Sequence, residues 1–130
     1  MSENITVLIV DDDLDALEYE QIILEQAGYK VARAESRAEA EEWIAGGKPD
    51  IALVDLMMET PDAGFVLCHH IKKKYPATPI IMLTCVESET GIEFDAATRE
   101  ERSWVKADAL LKKPVRQEQL LREMTRLLNP

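Results

Sequence analysis

The chain has no lysine or arginine in its first 29 residues, and only two cysteines, Cys68 and Cys85, among 130 residues. It has no long apolar run, no internal repeat, no low-complexity tract and no linker-like stretch. Each absence excludes something. No basic leader precedes the first apolar run, and that run, residues 5–10, is too short for a signal peptide or a membrane span. Two cysteines are too few for a disulfide scaffold, and each lies in or beside an apolar stretch, where reduced core thiols belong. Without repeats or linkers, the expectation is a single domain over residues 1–130, cytoplasmic and free of the membrane.

Positive charge is also scarce. Lys plus Arg is 15 against 25 for Asp plus Glu, a formal net charge of −10. Nonspecific binding to nucleic acid or to an anionic membrane wants a basic surface, so both are excluded as expectations. Cations and basic partners stay open. The 46% hydrophobic content is enough to build a core. The charge is also uneven. Eight acids fall in the first 29 residues, whereas the stretch from Ala109 carries Lys112, Lys113, Arg116, Arg122 and Arg126 against Glu118 and Glu123.

Apolar runs at 5–10, 51–54 and 79–83 read as buried strands, with shorter ones at 30–34 and 109–111. Between them lie helical patterns. The first runs over 14–27 on a stripe of Ala16, Leu17, Ile23, Leu24 and Ala27, with Asp13 as its cap and Gly28 at its end. Ser36-Arg37-Ala38-Glu39 is a capping box that opens a second helix, ending near Gly46-Gly47. A third spans about 64–75 and stops at Pro76. A fourth is expected within 87–106, placed by Phe94, Ala97 and Trp104, and a fifth carries Leu120, Leu121, Met124, Leu127 and Leu128. Short apolar strands alternating with helices imply an α/β fold, a parallel sheet covered on both faces. Right-handed crossovers then put every strand's C-terminal end on one edge, where such sheets bind ligands.

Chemistry-bearing residues fall at those ends. The first strand delivers Asp11 and Asp12, the third Asp55, the fourth Thr84 and the fifth Lys113. Three carboxylates in one place repel one another and raise one another's pKa. A hard divalent cation relieves them, and oxygen ligands with several waters suit Mg²⁺. The lysine adds a second positive group, and the threonine hydroxyl can donate to an anionic oxygen. The set describes an acidic pocket that a metal converts into a phosphoryl-binding site.

Residues 7–13, VLIVDDD, and 52–58, ALVDLMM, together with IIMLT at 80–84 and LKKP at 111–114, resemble the receiver domain of two-component response regulators over the whole chain. The resemblance implies a flavodoxin-like, doubly wound sheet of five parallel strands in the order 2-1-3-4-5 with five helices. It implies that Asp55 is the nucleophile that takes a phosphoryl group from a phosphohistidine of a sensor histidine kinase or a histidine phosphotransfer protein. Asp11 and Asp12 would hold Mg²⁺, with Asp55 and the backbone carbonyl of Met57 as further ligands. Lys113 would pair with Asp55 or its phosphoryl group. Thr84 would bond a phosphoryl oxygen and shift the surface of the fourth helix, fifth strand and fifth helix, where an unidentified protein target docks. The domain would stand alone and switch rather than turn over substrate, as a monomer or as a dimer formed on phosphorylation.

The sequence departs from the family pattern in four places. Residues 58–64 make a longer loop after Asp55, which can bring Glu59 near the site. Leu110 stands where the family has an aromatic three residues before the lysine. Residues 85–108 are long and acidic. Cys85 follows Thr84 where a small residue is usual, which predicts slow loss of the phosphoryl group.

His69-His70 point about 100° apart on a helix, poor metal spacing, and read as a solvated face. Lys72-Lys73-Lys74 at a helix end offsets the dipole. Three rival functions use the same residues differently. A small phosphatase of the haloacid dehalogenase type would take Asp11 as nucleophile and Asp13 as acid/base, leaving Asp55 unused. A flavin carrier of the same fold needs a phosphate-cradling loop after the first strand, where Asp11-Asp12-Asp13 would repel the ligand. A degenerate receiver would act as a constitutive interaction module.

Overall fold

The computed structural model describes residues 5–56, 63–84 and 107–128. Five parallel strands form one sheet: β1 (Thr6–Val10), β2 (Lys30–Ala34), β3 (Ile51–Asp55), β4 (Ile80–Thr84) and β5 (Ala109–Lys112). Their order is β2-β1-β3-β4-β5, as expected. Four helices lie among the described residues: α1 (Leu14–Gln26), α2 (Arg37–Gly46), α3 (Ala63–Lys74) and α4 (Gln117–Leu128). The helix expected within 87–106, and with it Cys85 and Trp104, lies outside the described residues.

β1, β3 and β4 are buried because each serves two cores. Leu8 and Val10 of β1, Ala52 and Val54 of β3, and Ile80 and Met82 of β4 face Ala40 and Ile44 of α2 and Leu67, Cys68 and Ile71 of α3. The alternate residues Val7, Ile9, Ile51, Leu53, Ile81 and Leu83 face Leu17, Ile23 and Leu24 of α1 and Leu120 and Met124 of α4. The period of two thus feeds both faces, which is why these strands are continuously apolar. Cys68 is a fully buried core thiol, and burial pushes it up to about 12. Leu110 packs at the margin of the α2–α3 core.

The caps form as their residue types require. Asp13 accepts from the N–H groups of Asp15 and Ala16 and opens α1. Gly28 follows the end of α1 at φ 98°, the left-handed region that favours glycine. Ser36 Oγ accepts from Glu39 N–H at 3.1 Å, while the Glu39 carboxylate reaches the N–H of Glu35, one residue before the cap. His70 is exposed and bonds Glu41 at 2.7 Å. Lys72 has a structural partner: its Nζ donates to Thr78 O and pairs with Asp108, whose carboxylate also accepts from Ile80 N–H. It therefore ties α3 to the entries of β4 and β5.

β1 is the switch point. The chain leaves it for β2 on one side and returns to β3 on the other, so the ends of β1 and β3 open a crevice between diverging connections. The β1–β3 register pairs Val10 with Val54, which sets Asp11 beside Asp55.

Candidate functional site

Asp11 follows β1 and is completely buried. Its backbone N–H donates to Ala34 O, holding the strand end in place. Its carboxylate is engaged on both oxygens: Oδ1 accepts from Asp13 N–H at 3.0 Å and Oδ2 from Lys113 Nζ at 2.6 Å. Asp12 is exposed at the rim. Asp55, the last residue of β3, is buried. Oxygens of Asp11, Asp12 and Asp55 lie within 4.8 Å of one another.

Lys113 follows β5 and reaches into this group. It is placed from behind by its own N–H, which donates to Thr84 O at 2.8 Å. Its Nζ stands 3.5 Å from Asp55 Oδ1, farther than from Asp11. The expected Lys113–Asp55 pair is therefore present as the longer arm of a bridge whose short arm goes to Asp11. The reason is burial: a fully enclosed carboxylate needs a charge partner more than one with solvent access. Thr84 is buried at the end of β4 and does not line the cavity. Met57 and Glu59 lie outside the described residues.

α3 begins close behind Asp55. Gly64 N–H donates to Leu56 O at 3.0 Å. A Cβ built on Gly64 would stand 2.4 Å from Asp55 O and 2.6 Å from Leu56 Cα. Only glycine allows this approach, so Gly64 supports the site and does not merely open a helix.

The crowding has electrostatic consequences. Burial first, then the charge of Asp11, pushes Asp55 up to about 7; Lys113 opposes this, while a hydrogen bond with Asp11 and the charge of Asp12 add to it. For Lys113, burial works against the charged form, but the hydrogen bond and charge of Asp11, then Asp55 and Glu20, outweigh it and the pKa rises.

The structure adds a residue that sequence reading missed. Glu20 of α1 is 2% exposed. It lines a cavity of ≈ 730 Å³ with Asp11, Asp12, Asp55, Lys113 and Tyr19. Burial first, then Asp11, raises it to about 8; Lys113 opposes this, and Asp55 and Asp13 add to it. A signal was present: Glu20 falls between Leu17 and Leu24 on the apolar stripe of α1, where an acid is out of place. Tyr19 caps the far wall, its hydroxyl donating to Val115 O at 2.9 Å.

This geometry can hold a hard cation against three carboxylates and present Asp55 beside a lysine. It does not suit the phosphatase reading. Asp13, which that reading needs as acid/base, is occupied as the cap of α1, and Asp55 is left unused.

Comparison with known proteins agrees. The family model described as the response regulator receiver domain matches residues 7–125. The heme response regulator HssR of Staphylococcus haemolyticus is 38% identical over 115 residues, covering 88% of this chain and 47% of that protein. The chain spans about half the length of the curated relatives it matches. Among solved structures, a putative response regulator from Chloroflexus aurantiacus superposes with a TM-score of 0.81 at 30% identity, covering 96% of this chain and 98% of that one. The response regulator TrrA of Thermotoga maritima, solved in complex with Mg²⁺-BeF, gives a TM-score of 0.78 at 26% identity over 95% of this chain and 99% of that one. With the sheet order, the acidic group at the switch point and the family match in agreement, this chain belongs to the response regulator receiver domain family of two-component signalling.

Proposed function

We propose that Asp55 is the phosphoacceptor of this chain, taking a phosphoryl group from a phosphohistidine of a sensor histidine kinase or a histidine phosphotransfer protein. The observation that carries this reading is the lysine bridge: Lys113 spans Asp11 and Asp55 inside a group of three carboxylates gathered at the switch point. An Asp55 oxygen bonds to phosphorus as the P–N bond of the donor breaks, and the bonding electron pair leaves with the imidazole nitrogen. Lys113 favours the ionised carboxylate before transfer and faces a phosphoryl oxygen after it. Thr84, buried at the neighbouring strand end and outside the cavity lining, swings its hydroxyl to the same anion once the phosphoryl group is in place. Its carbonyl holds Lys113, so a shift of Thr84 moves β5 with it.

Asp11, Asp12 and Asp55 fit Mg²⁺: the donor set is all oxygen, and burial together with the charge of Asp11 raises the Asp55 carboxyl to about 7, a cost that a bound cation relieves. The carbonyl of Met57 belongs to the same proposed set. When bound, the ion supplies positive charge that neutralises the phosphoryl oxygens. TrrA, crystallised with Mg²⁺-BeF, lends support. The domain acts as a regulatory switch in the cytoplasm, and the phosphorylated state signals through a protein–protein surface that includes β5 and α4. No described helix is long and apolar enough to cross a membrane.

The test is intact mass after incubation with acetyl phosphate, with and without Mg²⁺, on wild type and Asp55→Asn. The expected result is a Mg²⁺-dependent gain of one phosphoryl group in wild type alone. Label persisting in Asp55→Asn would overturn the assignment.

A further inference from the structure

The phosphoacceptor reading leaves one group in the cavity unused. Glu20 is 2% exposed, and no hydrogen bond or ion pair reaches its carboxylate among the described residues. No sealed side-chain oxygen or nitrogen there lacks a partner either, so the Glu20 oxygens face the cavity. The fold does not call for an acid at this position. Leu17, Ile23 and Leu24 on the same stripe are apolar core, and a leucine at residue 20 would bury without cost. Lys113 does not satisfy Glu20 by contact, because its ammonium is engaged by Asp11 and Asp55. An acid so placed can ionise when a cationic species enters the cavity.

Glu20 stands outside the group of oxygens that lie within 4.8 Å of one another, so it does not join Asp11, Asp12 and Asp55 as a direct ligand. Mg²⁺ keeps several of its waters when bound by carboxylates, and those waters need acceptors. We propose that Glu20 is a positioning residue of the cation site, accepting hydrogen bonds from water on a Mg²⁺ held by Asp11, Asp12 and Asp55 and so strengthening and orienting the ion. This rests on the Mg²⁺ reading above.

The test is calorimetric titration of the intact chain with MgCl₂, for wild type, Glu20→Gln, Glu20→Asp and Glu20→Leu, with Asp12→Asn as the ligand-loss control. Loss of an outer-shell partner weakens a metal site roughly tenfold or more. Glu20→Gln keeps the volume and removes the charge, so its Mg²⁺ affinity is expected to fall about tenfold. Glu20→Leu falls at least as far, and Glu20→Asp recovers part of the loss. Urea unfolding of the same proteins without metal supplies an independent readout. Glu20→Gln is expected to be more stable than wild type while binding Mg²⁺ less tightly, a pair of opposite changes that a purely structural role cannot produce. A wild type that takes up no Mg²⁺ overturns the cation reading and this inference together. A wild type that binds, beside a Glu20→Gln variant that binds equally or more tightly, overturns the role of Glu20 alone.

Discussion

Replacing Glu20 with glutamine removes one ionisable group from a site where ionisation is expensive. Folding raises the Glu20 carboxyl from 4.5 to about 8, through burial first and then the charges of Asp11, Asp55 and Asp13, against the opposing pull of Lys113. A group whose native pKa lies above its unfolded value contributes stability that is intact below 4.5 and lost as pH rises through 8. At about 1.4 kcal/mol per tenfold, the limiting penalty is roughly 5 kcal/mol once the group must ionise in the native state. Local relaxation and cavity water reduce that figure, so about 2–4 kcal/mol is expected at pH 9. Glutamine has the same shape and no charge to lose. In metal-free buffer with a chelator, urea unfolding should therefore show Glu20→Gln gaining on wild type steadily between pH 5 and pH 8 and levelling off above that. Asp55, itself raised to about 7, titrates in both proteins and cancels to first order in the comparison. Saturating Mg²⁺ should then narrow the gap, because a ligand that binds the native state more tightly stabilises it more. A difference that stays constant across this pH range, or a Glu20→Gln variant less stable than wild type at pH 9, would refute the reasoning.

Two further outcomes follow from the same site. Lys113→Met strips the 2.6 Å partner from a completely buried Asp11 and should cost about 3–5 kcal/mol at pH 7, whereas adding Asp11→Asn should restore much of it; additive losses in that double-mutant cycle would argue against the pair. Gly64→Ala places a Cβ 2.4 Å from Asp55 O, a backbone atom that cannot swing aside, and should cost about 1–3 kcal/mol in urea unfolding with a matching loss of Mg²⁺ affinity; a neutral variant would show that α3 does not buttress Asp55.

Local signals carried much of the architecture. The uninterrupted apolar runs of β1, β3 and β4 marked doubly covered strands, because both faces of each are needed for two helix layers. Asp13, Gly28 and Ser36 marked helix boundaries through bonds made within a few residues, so their sequence neighbourhood was sufficient. Observed bounds shift by a residue: β1 starts at Thr6, α3 at Ala63, and β5 extends to Lys112. Lys72 shows the limit of such reading. Its place at a helix end suggested an interaction with the dipole, whereas its partners are the carbonyl of Thr78 and the carboxylate of Asp108.

The sequence by itself determined which strand ends share an edge. Alternating strands and helices force parallel pairing, and parallel pairing brings Asp11, Asp12, Asp55, Thr84 and Lys113 to one edge whatever the details of packing. Only the tertiary structure decided how they share charge. Lys113 lies 102 residues from Asp11, and its preference for Asp11 over Asp55 follows from which carboxylate is more deeply enclosed. That α1 turns Glu20 toward the cavity, and that α3 comes near enough to Asp55 O to require Gly64, depend on how helices settle against the sheet. Those distances are set by the packing of many side chains at once, and no local pattern encodes them.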